Sequence, residues 1–304
     1  MTAAGDAGDH GPPGGAGDSS DDLVRRRIAA LPPLRGVIAA HGLSARKGLG
    51  QHFLFDGNLT AKIAAAAGRL ADGTTIEVGP GPGGLTRALL AHGARRLVAI
   101  ERDPRCIAAL ADVVAASDGR MQLIHGDALG QPIAETGPAP RRIVANLPYN
   151  VATPLLIAWL AEPDAIARMV LMFQREVAER LMAQPGEPAY GRLSIAVQWR
   201  WTATRVFDLP PSAFVPPPKI WSTVVALAPR PAPLGEADPQ VLQQVTAAAF
   251  GQRRKMLRSS LRTITADSEA LLAAAGLDPT ARAETIPVEG FCALARAFAR
   301  LSAQ

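Results

Sequence analysis

The tetrapeptide Asn146-Leu147-Pro148-Tyr149 sets a carboxamide, a carbonyl beside a proline and an aromatic ring within four positions. That set suits the exocyclic amine of an adenine. Its nitrogen is a poor nucleophile because the lone pair is delocalised into the ring. The Asn146 oxygen and a main-chain carbonyl in the region of Pro148 can accept the two amine hydrogens and favour a pyramidal nitrogen. The Tyr149 ring offers a stacking face for an extruded base, and proline, without an amide donor, holds the loop extended. An amine presented in this way needs an activated electrophile and alignment, with no metal and no strong base.

A second constellation, Glu77-Val78-Gly79-Pro80-Gly81-Pro82-Gly83-Gly84, follows an apolar run and opens a helical one. Glycines there allow a tight turn and close approach of the main chain to a ligand. The loop lacks the spacing of a dinucleotide fingerprint and the Lys-Ser/Thr ending of a phosphate-cradling loop. Glu101 follows roughly twenty residues on, at the end of the next strand, where a carboxylate can accept both ribose hydroxyls of an adenosine-type cofactor. Asp127 ends the third strand, in reach of a cofactor's adenine amine. Either acid alone reads equally well as a solvated strand end. Three consecutive strand ends carrying Gly79, Glu101 and Asp127, with Asn146 on the fourth, favour a class I methyltransferase over a dehydrogenase.

The elements that must position these residues alternate regularly. Strands are expected over 74–79, 96–103, 121–129, 141–149 and 169–174, with helices over 85–93, 104–117, 153–162 and 175–183. That order implies an α/β, Rossmann-like parallel sheet with helices on both faces. Residues 1–22, rich in Gly, Asp, Ser and Pro, read as a disordered tail. A helix over 23–41, interrupted at Leu31-Pro32-Pro33, extends a methyltransferase domain that spans 23–229. The Pro-rich 229–239 stretch is a linker. Helical patterns over 240–250, 253–265, 268–275 and 287–301 make 240–304 a small all-helical C-terminal domain.

Composition narrows the class further. Hydrophobic residues make up 48% of the chain, yet no apolar run reaches membrane-spanning length, and the N-terminus has no signal-peptide pattern. Cys106 and Cys292 read as reduced packing residues of a cytoplasmic protein. The net charge is +5, and between residues 192 and 262 ten lysines and arginines face three acids. Clustered positive charge suits a phosphate backbone. Arg253, Arg254, Lys255, Arg258 and Arg262 are expected on one helix, where spacing of four puts Arg254, Arg258 and Arg262 on a common face. A solvated helix face is the plainer reading of the same residues.

With these residues in hand, the sequence resembles the ribosomal RNA adenine dimethyltransferases. The likeness covers roughly residues 43–302 and is carried by LSARKGLGQHFLFD (43–56), EVGPGPGGLT (77–86), NLPYNVATP (146–154), FVPPPKIWS (214–222) and FGQRRKMLRSSL (250–261). It implies a class I methyltransferase domain with a small helical domain. The implied reaction uses S-adenosylmethionine to place four methyl groups on two adjacent adenosines near the 3′ end of 16S rRNA. The partner would be a precursor of the small ribosomal subunit, with no membrane, no metal and a monomeric enzyme. Carried over residue by residue, His52, Leu54, Gly79, Glu101, Asp127 and Asn146 match the family's cofactor contacts. Phe214 matches the second wall of its target-base pocket, although FVPPPK reads equally as a rigid polyproline connection. Trp221 stands where many relatives carry a small polar residue. Two rival readings remain: a 23S rRNA adenine methyltransferase of the macrolide-resistance type, and a non-catalytic RNA-binding factor on the same fold. FVPPPK and FGQRRK weigh against the first, and intact Gly79, Glu101, Asp127 and Asn146 against the second.

Overall fold

The computed structural model describes residues 19–43 and 52–302; the side chains of Tyr149 and Asn150 fall outside that description. Two short helices come first, α1 (Ser20–Ala29) and α2 (Leu34–Ala40), then strand β1 (Phe53–Leu54) and α3 (Gly57–Ala66). The α/β repeat follows: β2 (Thr74–Val78), α4 (Gly84–Ala91), β3 (Leu97–Glu101), α5 (Pro104–Ala109), α6 (Ala111–Ala116), β4 (Met121–His125) and β5 (Arg141–Ala145). Next come α7 (Tyr149–Leu160), β6 (Arg168–Gln174), α8 (Arg175–Met182) and α9 (Arg192–Gln198), then β7 (Trp201–Leu209), β8 (Phe214–Val215) and β9 (Ser222–Pro229). Helices α10 (Pro239–Gly251), α11 (Leu257–Ser260), α12 (Ser268–Ala275) and α13 (Val288–Ser302) complete the described chain.

Seven strands form one sheet in the order β4-β3-β2-β5-β6-β9-β7. The first five are parallel; β9 runs antiparallel between β6 and β7. Alternate residues of the parallel strands enter different layers. Ile76, Val98, Ile143, Met169 and Leu171 pack on one face with Trp159 and Trp201, while Leu97, Ala99, Val144, Val170 and Met172 pack on the other with α3 and α4. Burial on both faces is why these strands read as continuous apolar runs. The strand order reverses between β2 and β5, and ligands in such sheets bind beyond the carboxyl ends at that reversal.

All five expected parallel strands are present, within a few residues at each end. Three other expectations need correction. Residues 20–22 are the first turn of α1, not tail, because the Ser19 hydroxyl accepts from the Asp22 amide and caps the helix; residues 1–18 lie outside the described part. The single helix over 104–117 is two pieces that meet at Leu110, fully buried under the Gly83 turn. The helix over 253–265 is not continuous: α10 ends at Gly251, residues 252–256 turn, and α11 leads into a 3-10 turn at Leu261–Thr263. Met256 instead forms an isolated bridge with Arg282.

The C-terminal helices share a core with the segment that follows β6. Tyr190 and Ile195 are buried with Leu242, Val245, Leu271, Phe291 and Leu294. The Tyr190 hydroxyl donates to the Ile286 carbonyl at 2.9 Å, and the Phe250 ring stacks on Phe291 at 5.7 Å. The Pro-rich stretch is tied down as well, because the Trp199 indole donates to the Gly235 carbonyl at 2.8 Å.

Candidate functional site

A cleft of about 750 Å3, measured out to its open mouth, lies at the reversal point of the sheet. His52, Phe53 and Leu54 form one wall, residues 79–82 with Gly84 and Leu85 the second, and Asn146, Leu147 and Pro148 the third; Glu77 and Glu101 complete the lining.

The glycine-rich turn is shaped by two close approaches. Gly83 precedes α4 with φ +94°, a left-handed conformation that glycine adopts without strain. At Gly84 an added Cβ would sit 2.8 Å from the Leu54 carbonyl oxygen, so the missing side chain is what lets β1 close over the turn. Two hydrogen bonds then join the walls. The Asn146 side-chain nitrogen donates to the His52 carbonyl at 3.2 Å. The His52 ring donates from Nδ1 to the Pro216 carbonyl at 2.7 Å. Strand β1 also pairs with β8, Leu54 opposite Phe214. The tetrapeptide, the QHFL segment and the FVPPPK segment, distant in sequence, thus form one assembly.

The two acids in the cleft differ. Glu101 accepts from the Gly81 amide at 3.0 Å and from the amides of Arg102 and Asp103, each at 2.8 Å. Three donors fix its carboxylate at the rim, and with about four lone-pair positions it keeps room for a further donor. Glu77 is 1% exposed, and its Oε2 has no hydrogen-bond partner among the described residues. Burial pushes its carboxyl up to about 8; the nearby Thr86 hydroxyl pulls the other way and Glu101 adds to the rise. Sequence reasoning noted an acid before the glycines but gave it no role. The available signal was a carboxylate set between Ile76 and Val78 in a strand.

His52, Leu54, Gly79, Glu101, Asn146 and Pro148 all line the cleft. Asp127 does not. Its Oδ1 caps a 3-10 turn by accepting from the Leu129 amide at 3.0 Å, and its Oδ2 lies 3.8 Å from Arg102 in a solvent-exposed pair. Phe214 is 2% exposed and belongs to the core against Leu54, Ile63 and Leu209, so its ring is not on the cleft wall. The Tyr149 main chain opens α7, but its ring lies outside the described part. The basic cluster is divided. Arg253 is engaged by Glu284 at 2.9 Å and the Pro188 carbonyl, whereas Arg254, Lys255, Arg258 and Arg262 are exposed. Because Arg254 precedes α11 in a turn, helical spacing does not align it with Arg258 and Arg262.

Comparisons with known proteins give a consistent result. Residues 42–300 match the family described as Ribosomal RNA adenine dimethylase. The chain is 63% identical over 267 residues to the Ribosomal RNA small subunit methyltransferase A of Rhodospirillum rubrum, covering 88% of this chain and 92% of that one. Among solved structures, a dimethyladenosine transferase from Plasmodium falciparum superposes with TM-score 0.70 at 23% identity, over 83% of this chain and 98% of the other. The 23S rRNA methyltransferase ErmE gives TM-score 0.61 at 25% identity, over 81% and 99%.

Proposed function

The chain belongs to the ribosomal RNA adenine dimethylase family, and from that premise we propose that it converts two adjacent adenosines of small-subunit 16S rRNA to their N6,N6-dimethyl forms. S-Adenosylmethionine supplies the methyl group, already activated on a sulfonium. The cleft suits it on chemical grounds. Its rim carboxylate, Glu101, can take ribose hydroxyls, and its buried carboxyl, Glu77, is protonated at neutral pH and has an Oε2 without a partner among the described residues, so it can donate to an acceptor of the ligand. Gly79 and Gly81 offer main chain without side-chain bulk, and Leu54 and His52 close the opposite side.

The observation that carries this reading is the bond from Asn146 to the His52 carbonyl. It occupies the amide nitrogen and fixes the side chain at the cleft mouth, which leaves the Asn146 oxygen as the acceptor for an incoming amine. The Pro148 carbonyl accepts from the Val151 and Ala152 amides as α7 begins, each at 3.1 Å, which fills both of its lone pairs and leaves the second amine hydrogen to another main-chain carbonyl of the tetrapeptide. Asn146 and the main chain beside Pro148 hold the two amine hydrogens and aim the nitrogen lone pair into the cleft, with alignment as the main contribution. Tyr149 stacks on the base. The surplus proton leaves to water after transfer, so no buried base is required. In this conformation Phe214 supports β1 from the core, and Asp127 orders the β4 end.

Exposed Arg254, Lys255, Arg258 and Arg262 bind phosphates of the RNA, which gives affinity without base choice. The work is cytoplasmic, on precursors of the small subunit, and the enzyme acts as a monomer. Titration calorimetry with S-adenosylmethionine tests the enzyme reading against a non-catalytic RNA-binding role. Saturable one-to-one binding is expected, and no binding would overturn it.

A further inference from the structure

Trp221 is 44% exposed at the start of the segment leading into β9, an unusual position for a large apolar ring. It is held in a defined place. The Arg175 guanidinium lies 4.9 Å from the ring centroid, and the Arg175 amide donates to the Trp221 carbonyl at 3.0 Å. The same guanidinium bonds Asp208 at 3.1 Å, and the Thr223 hydroxyl donates to Asp208 at 2.7 Å. One side of the indole is thus backed by a fixed cation while the ring keeps substantial exposure. Nothing in the methyl-transfer chemistry uses this pair.

Its position relates it to the cleft. In the sheet, β6 neighbours β5 and β9 neighbours β6, and Arg175 and Trp221 stand where β6 ends and β9 begins. Asn146 stands at the end of β5. Asn146 is level with Met172, three residues short of Arg175, so two strand spacings of about 4.8 Å and an offset of about 10 Å along the strands separate the two places, a span within reach of single-stranded RNA flanking the target. The His52–Pro216 bond joins the two places along the chain as well. Arg205 and Lys219 are exposed nearby, and Asp208, the carboxylate paired with both Arg175 and Arg205, is 23% exposed. Glu176 is paired with Arg180. The rim therefore combines a rigid π-face with cations, which is the chemistry of a single-stranded nucleic-acid platform.

We propose that the Arg175–Trp221 pair is a stacking site for an unpaired RNA base that flanks the one presented at Asn146. The proposal rests on the reading of RNA as the substrate. It assigns this surface a part in placing neighbouring adenosines in turn, with Trp221 as the platform and Arg175 as the residue that positions it.

The test measures fluorescence anisotropy of a short labelled RNA, containing two adjacent unpaired adenosines, with the full chain and with Trp221→Ala and Trp221→Phe. Loss of one base–aromatic stack should weaken binding roughly 5- to 100-fold in Trp221→Ala, whereas Trp221→Phe, which retains a π-face, should stay within about 3-fold. An abasic sugar on one side of the target adenosine should cost the unsubstituted chain a similar factor and cost Trp221→Ala almost nothing. S-Adenosylmethionine affinity should be the same in all three proteins. Equal RNA affinity for Trp221→Ala, or an abasic penalty that persists in it, would overturn the platform while leaving the RNA reading in place. Failure of the unsubstituted chain to bind this RNA would overturn both.

Discussion

Asn146 commits its amide nitrogen to the His52 carbonyl, so its oxygen is the one group it can offer to an amine. Replacing Asn146 with Ala should lower methyl transfer by about 100- to 1000-fold, the scale of losing one preorganised polar contact at a reacting centre. Cofactor affinity by calorimetry should change far less; near-normal turnover would refute the assigned role. Glu77 yields a prediction of opposite character. Its carboxyl is raised from 4.5 to about 8, so the folded chain keeps a proton that the unfolded chain releases. The stability it contributes is complete below pH 4.5 and is lost as pH rises to about 8. Glu77→Gln should therefore flatten the fall in melting temperature of the ligand-free protein across that window. Identical pH slopes for the two proteins would contradict the buried-acid account. At this scale strand-end reasoning singled out Gly79, Glu101, Asn146 and Pro148, which line one cleft because strand ends at a sheet reversal converge, while His52 and Leu54 on the opposite wall came from the family resemblance. Phe214 lies in the core in this conformation, and a motif position does not reveal whether a ring faces the cleft or the core.

The parallel strands were legible because burial on both faces writes itself as an unbroken apolar run, as in 97–100 and 169–173. Strands β7 and β9 were not noticed. Polar Thr202, Thr204, Arg205 and Asp208 break the apolar pattern of β7, and prolines at both flanks of β9 suggested a connection. The basic C-terminal segment shows the converse error. Leu257 and Leu261 have helical spacing, but Gly251 and the 252–256 turn interrupt the helix, and Met256 bridges to Arg282. Its function therefore rests on exposure and not on a shared helix face. Neutralising Arg254, Arg258 and Arg262 together should weaken RNA binding and reduce the slope of log affinity against log salt by about 2, given roughly 0.7 per single-strand phosphate contact. Arg253 belongs apart from this set, because Glu284 and the Pro188 carbonyl already hold it. An unchanged salt slope would return the other three to the solvent.

Across the whole molecule, the helical C-terminal layer and the segment around Tyr190 bury one another. A chain ending before α10 would leave Tyr190 and Ile195 uncovered, together with the Pro-rich stretch that now anchors Trp199. Such a truncation should lose cooperative thermal unfolding and aggregate, and a truncated chain that melts like the intact one would show the layer to be an independent unit. The same continuity matters to function, because exposed cations of α11 and its flanks stand on a layer fixed to the methyl-transfer sheet. All these features converge on one claim, that the cleft methylates adenine N6 in small-subunit RNA. The most direct measurement incubates the purified chain with S-adenosylmethionine and unmethylated ribosomal RNA or precursor particles of both subunits, then maps modified nucleosides by mass spectrometry. The account predicts two neighbouring N6,N6-dimethyladenosines in 16S rRNA and none in 23S rRNA. Methylation confined to 23S rRNA, or no methylated adenosine in any of these substrates, would contradict it.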